Sequence, residues 1–197
     1  MLEITKQKWQ VKTFEVGEQI TNDANSLWFI KQGAVKISTY DSDGKIVVLG
    51  YWGKKDVVGQ PLSKIAPYKI ECLTLVEADC VPSQDWHYIT KEIRNCYQDA
   101  EKLLYILKQN SVEEKLIELL VYLGGKFGSV RENKTAILLP LTHRELAEFF
   151  GVTRATIVAA MNRLQSRKIL DNPRQGTVIL HTSEIETLKY KIQLFKI

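Results

Sequence analysis

Residues 141–170 read LTHRELAEFFGVTRATIVAAMNRLQSRKIL. Thr142 stands before an apolar-periodic run with Glu145 three residues later, the capping-box pattern that starts a helix. Leu146, Phe149 and Phe150 give that helix an apolar face, and Gly151 permits a tight turn. Small Ala147, four residues before the glycine, lets a second helix approach closely. Thr153 caps this second helix, in which Ile157, Ala160, Met161 and Leu164 share the inward face. Helix, glycine turn and helix at this spacing predict a helix-turn-helix, with a purely structural helical hairpin as the alternative. The sequence that follows, Asp171-Asn172-Pro173-Arg174-Gln175-Gly176 and the β-rich run 177–180, predicts with residues 168–170 a hairpin with a basic tip, a wing.

In such a motif the exposed N-terminal residues of the second helix enter the major groove, here Arg154, Ala155, Val158 and Ala159. An arginine fork pairs with O6 and N7 of a guanine, worth about 1–3 kcal/mol of discrimination. Ala155 and Ala159 offer no hydrogen bond and can touch only thymine methyls. Thr142, His143, Arg144, Thr153, Thr156, Arg163 and, on the wing, Arg174 are candidates for backbone contacts, which position a protein on DNA without reading sequence. Each of them could equally be a cap or a solvated charge.

The charge distribution points the same way. The 197-residue chain has 27 Lys+Arg and 23 Asp+Glu, net +4. Residues 1–125 hold 15 and 17 of these, net −2, so residues 126–197 hold 12 and 6, net +6. Arg94 is alone in the first stretch, whereas Arg131, Arg144, Arg154, Arg163, Arg167 and Arg174 lie in the second. A planar guanidinium suits phosphates and base edges. At 45% hydrophobic and 25% charged residues the composition is that of a globular protein. The three cysteines, Cys72, Cys80 and Cys96, are an odd number without CxxC spacing, which argues against a disulfide framework and a zinc site. No apolar run approaches the ~18 residues of a membrane span, and MLEITKQKWQ has no signal-peptide core. No membrane association and a cytoplasmic location are expected.

Upstream, residues 11–86 alternate in short β-rich runs: 26–30 (SLWFI), 34–40 (AVKISTY), 46–52 (IVVLGYW) and 72–76 (CLTLV). Asp41-Ser42-Asp43-Gly44 between two of them signals a β-hairpin, and many short strands predict an antiparallel barrel or sandwich. After Trp86 the period lengthens. Ile93, Tyr97, Ala100, Leu104 and Leu107 are spaced 4, 3, 4, 3, the seam of a coiled coil, and Cys96, Leu103 and Ile106 form a second stripe. Two stripes imply two partners, the helix's own β-domain and the same helix of a second chain, unless both are buried at home. Ser111 with Glu114 is a further capping box, which starts a new helix that Gly124-Gly125 could end.

Taken together, these segments resemble the CRP/FNR family of bacterial transcription regulators. The resemblance rests on 14–20 (FEVGEQI), 27–35 (LWFIKQGAV), Asp43-Gly44-Lys45 through Leu49, Val57-Val58-Gly59, Ala78-Asp79-Cys80 and the 142–164 stretch. It implies an α+β fold: a jelly-roll-like antiparallel β-roll sensor (1–90), a dimerisation helix (91–110) and a winged helix-turn-helix (111–197). It implies a homodimer on an inverted DNA repeat, RNA polymerase as a partner, and an effector that reorients two recognition helices.

Departures from the family pattern carry equal weight. Cyclic-nucleotide-binding relatives have Gly-Glu and then Arg-Ser or Arg-Thr in the pocket; the matching positions here are Gly59-Gln60 and Ile70-Glu71. Ala100 and Glu101 stand where such relatives present hydroxyl residues. Cyclic AMP is therefore not the expected effector, whose identity stays unknown. An oxygen-sensing iron–sulfur cluster would need N-terminal cysteines, and the first cysteine is Cys72. His87 could serve a haem, or be structural. On the recognition helix, Ala155 and Ala159 replace the Glu and Arg of several relatives. The rival expectation is an effector-independent DNA-binding protein whose β-roll serves only dimerisation or a protein partner. No P-loop, GxSxG or metal-spaced set suggests an enzyme.

Overall fold

Short β-rich runs separated by turns organise the N-terminal part of the chain into strands; the computed structural model describes residues 9–21, 23–131, 134–137, 139–174 and 177–181. The strands are β1 (Gln10–Phe14), β2 (Ser26–Gln32), β3 (Ala34–Tyr40), β4 (Ile46–Gly53), β5 (Val57–Val58), β6 (Lys69–Cys72) and β7 (Val76–Pro82). They form two sheets, ordered β1-β7-β2-β5 and β4-β3-β6. Leu27, Ile30, Val35, Ile37, Ile70, Val76 and Val81 are sealed between them. The run 72–76, expected as one strand, is instead the break between β6 and β7. Leu73 N–H donates to the Ala34 carbonyl and the Thr74 hydroxyl accepts from Ala34 N–H, so these residues turn around the start of β3.

Two 3₁₀ turns, Gln60–Leu62 and Ser83–Ile89, precede the helix α1 (Thr90–Leu107). The start of α1 closes the β core: Ile93 and Cys96 pack against Leu27, Val57, Val81 and Ile89. The Cys96 thiol donates to the Val57 carbonyl at 3.1 Å.

The chain divides into two compact units, residues 1–39 with 52–98, and residues 40–51 with 99–197. In the second, α2 (Val112–Phe127) starts at Ser111 with both halves of the capping box formed. Asp99 to Lys126 (2.5 Å) and Lys102 to Glu118 (3.4 Å) tie the second half of α1 to α2. Gly124-Gly125 does not end this helix, which runs to Phe127 with Gly128 as its cap. Gly124 is buried, and a Cβ there would lie 3.3 Å from Thr135 Cγ2 and 3.5 Å from Leu180 Cδ1, so close packing on the sheet explains this glycine.

That sheet contains a hairpin the sequence reading missed, β8 (Gly128–Arg131) with β9 (Lys134–Ile137). After α3 (His143–Phe150) and α4 (Arg154–Ser166) come β10 (Leu170–Arg174) and β11 (Thr177–His181), giving the order β10-β11-β9-β8. Lys168, expected within the wing strand, has φ 56 and turns the chain into β10. Tyr51, fully buried in this unit, lies with its ring 6.3 Å from that of Phe149. Burial and the nearby Glu145 and Glu148 carboxylates raise its phenol pKa.

Candidate nucleic-acid interface

Local hydrogen bonds set the two helices at their turn. Thr142 Oγ1 accepts from Glu145 N–H (3.1 Å) and Glu145 Oε2 accepts from Thr142 N–H (3.0 Å), so α3 starts with its first donors satisfied. Gly151 caps α3 with φ 64 and ψ 36, a left-handed geometry in which a Cβ is costly. Val152 N–H then donates to the Ala147 carbonyl, and Thr153 Oγ1 accepts from Thr156 N–H at 3.1 Å to start α4. Ile157, Ala160, Met161 and Leu164 are buried beneath it.

The opposite face of α4 is open. Arg154, Ala155, Val158, Ala159 and Asn162 line one shallow depression of about 480 Å³. Arg154, Ala155, Ala159 and Asn162 are exposed and Val158 is half-buried. Among the described residues, the side chains of Arg154 and Asn162 have no hydrogen-bond or ion-pair partner. Asn162 was absent from the sequence-derived set. Its spacing gives it away, four residues beyond Val158 and eight beyond Arg154.

The backbone-contact candidates divide. Thr142, Thr153 and Thr156 are engaged in capping, the last two with their hydroxyls 2.8 Å apart. Arg144, exposed on α3, pairs with Glu148 at 2.9 Å. His143 is half-buried in the first turn of α3. Arg163, expected to meet phosphate, is instead paired with Glu113 in the first turn of α2, and Arg167 reaches the same carboxylate at 3.3 Å. The two cations share one internal anion. Arg174 belongs to β10, and its side chain lies outside the described residues, as do Gln175 and Gly176 of the wing tip.

On α1, Tyr97 (73% exposed), Leu104 (57%) and Ala100 face outward, while Leu107 is half-buried. Ile93 also departs from the expected seam, since it packs on the β core. Leu103 and Ile106 of the second stripe are buried, and Cys96 partly so.

The effector candidates are largely occupied by their own fold. Gln60 Nε2 donates to the Ser63 and Ile65 carbonyls, and Gly59 backs closely onto Leu27. Ile70 is fully buried opposite Ile37. Glu71 pairs with Lys36 across the ladder at 3.2 Å. Ala100 and Glu101 are exposed on α1. Burial, with Glu18 and Glu71 nearby, pushes the Cys72 thiol up to about 11, which keeps it protonated and unreactive near neutrality. His87 bonds through Nδ1 to the Gln84 carbonyl.

Residues 114–188 match the model of the Crp-like helix-turn-helix domain. Regulatory protein CysR of Synechococcus elongatus is 37% identical over 142 residues, covering 70% of this chain and 68% of that one. The chain belongs to the CRP/FNR family. The Global nitrogen regulator of Nostoc is more distant, 24% identical over 81% of this chain and 80% of its own length. The solved CRP-family regulator TTHB099 of Thermus thermophilus shares the fold, with a TM-score of 0.75 at 16% identity over 89% of this chain and 95% of that one. FixK2 of Bradyrhizobium japonicum gives 0.74 at 16% identity over 92% and 97%. The protein is thus a CRP/FNR-type, DNA-binding transcription regulator rather than an enzyme, and its α3–α4 pair is the family's helix-turn-helix. Among the described residues no helix is long and apolar enough to cross a membrane.

Proposed function

We propose that this CRP/FNR-type regulator acts as a homodimer on an inverted DNA repeat, each subunit reading a guanine with Arg154, and that it does so without cyclic AMP. The single observation that carries the DNA reading is the unpartnered Arg154 fork at the exposed start of α4, beside Thr153 and Thr156 and opposite the buried face of that helix. Dimerisation is supported by Tyr97, Ala100 and Leu104, a line of exposed residues at coiled-coil spacing on a helix whose other stripe is buried. In functional terms the chain then comprises a β-roll (1–90), a dimer helix (91–110) and a DNA-binding part (111–197), with RNA polymerase as a further partner by family likeness.

The argument against cyclic AMP is electrostatic. A buried cyclic phosphate needs a paired, hydrogen-bonded cation. Ile70 points into the β core where relatives place the arginine, whereas Lys69 falls on the other face of β6 with Glu71. Lys36 on that face is already paired with Glu71. The same occupied groups favour a second reading, in which the β-roll needs no effector at all and serves the dimer or a protein partner.

Selection of bound DNA from random sequence, with and without a metabolite extract, tests both readings. Two half-sites about one helical turn apart are expected. A single unpaired half-site would remove the dimer, and an extract-dependent change in affinity would remove the effector-free reading. Titration calorimetry with cyclic AMP should show no binding at physiological concentration; a micromolar dissociation constant would overturn that part.

A further inference from the structure

The outward strip of α4 is chemically unusual for a surface meant to read polar base edges. Between Arg154 at one end and Asn162 at the other it presents only Ala155, Val158 and Ala159, at positions i+1, i+4 and i+5. None of these three can donate or accept a hydrogen bond. Opposite the donors and acceptors of guanine, cytosine or adenine they would strip water from polar groups and return nothing, a net cost. One base places an apolar group in the major groove, namely thymine with its C5-methyl. A strip of small aliphatic side chains set close to the groove floor therefore gains from thymine and loses from the alternatives.

Asn162 completes the pattern. Eight residues at 1.5 Å per residue place it about 12 Å along the helix from Arg154, the span of three to four base steps. Its amide is exposed and unpartnered among the described residues. A carboxamide offers one donor and one acceptor side by side, the complement of N7 and N6–H of adenine. The strip holds no carboxylate, so cytosine N4–H has no anionic acceptor there. Lys168, exposed just past α4, keeps its end cationic and suited to a polyanion.

We propose that α4 reads thymine methyls through Ala155, Val158 and Ala159 and an adenine through Asn162, so that each half-site is an A·T-rich core bounded by a guanine. The proposal rests on the DNA reading above and names what that site recognises.

The test uses the full-length protein and the site recovered by selection. Replacing each half-site thymine in turn with deoxyuridine deletes the methyl alone. At one or more positions wild type should lose about three- to tenfold in affinity, and Val158→Ala should lose less on the same substitution. Asn162→Ala should relax the selected adenine by about tenfold, and Asn162→Asp should shift the preference at that position toward cytosine, whose N4–H an anion accepts. Because Asn162 is exposed, unchanged melting temperatures keep these comparisons interpretable. Specific binding that ignores every deoxyuridine, or an unchanged consensus for both Asn162 variants, would overturn the proposal while leaving the DNA reading intact. Strip variants that leave the consensus unchanged but abolish self-association would assign the strip to a second copy instead. Failure of wild type to select any sequence would remove the DNA reading itself.

Discussion

Two helices of this protein show apolar residues to the outside, and they do so differently. On α1 the exposed side chains are large, Tyr97, Leu104 and Tyr105. On α4 they are small, two alanines and a valine, between an arginine and an asparagine. Large apolar groups bury enough area per residue to hold two proteins together. Small ones bury little, but they let a helix backbone sit deep in a groove while the polar residues at the strip's ends discriminate. Size and framing, more than hydrophobicity itself, separate the surface proposed for a second copy from the surface proposed for nucleic acid.

Four substitutions would break or sharpen that contrast. The largest effect is expected on α1. Leu104→Glu places an unpaired charge in the proposed seam, which costs several kcal/mol; sedimentation should show monomer where wild type shows dimer at micromolar concentration, and a monomeric wild type would end the distinction. Next comes Arg154→Ala, expected to cost about 1–3 kcal/mol on a specific site, read by competition binding, while random DNA is bound nearly as before. Equal losses on both DNAs would make Arg154 a backbone contact. Thr142→Ala should lower stability by about 1 kcal/mol through loss of the cap, or about 2–4 °C in melting temperature for a chain of this size, with Thr142→Ser restoring it. A large loss of DNA affinity at unchanged stability would return Thr142 to the phosphate set. The smallest effect is expected for Glu113→Gln. Releasing Arg163 and Arg167 should raise affinity for random DNA a few-fold and steepen its dependence on log salt by up to about 2, at modest cost in stability since both arginines are exposed while Glu113 is half-buried.

The parts of the fold that local chemistry dictates were legible in the sequence. Both capping boxes, at Ser111 and Thr142, and the left-handed Gly151 follow from two or three neighbouring residues. Non-local features were hidden. Gly124 resembles a helix stop until β9 and β11 are packed against it, and the β8–β9 hairpin is too short to stand out as strands. The region 72–76 has strand composition, yet its Thr74 hydroxyl is spent on Ala34, 40 residues away in sequence. The site shows the same division. The exposed position of Arg154 was visible from its place after the cap, whereas the pairing of Arg163 with Glu113 spans 50 residues and no periodicity reveals it. Asn162 lies at helical spacing from Arg154 and Val158, one turn beyond the N-terminal residues that the motif itself marks.

The shared Glu113 carboxylate bears on how such a protein finds its target. Random genomic DNA holds a cationic protein through phosphates alone, and each phosphate neutralised lengthens the stay at a worthless address. By keeping Arg163 and Arg167 paired at home, Glu113 withholds two cations from phosphate without touching Arg154, the residue proposed to read a base. A chain so arranged would leave wrong sequences sooner and spend more of its search moving.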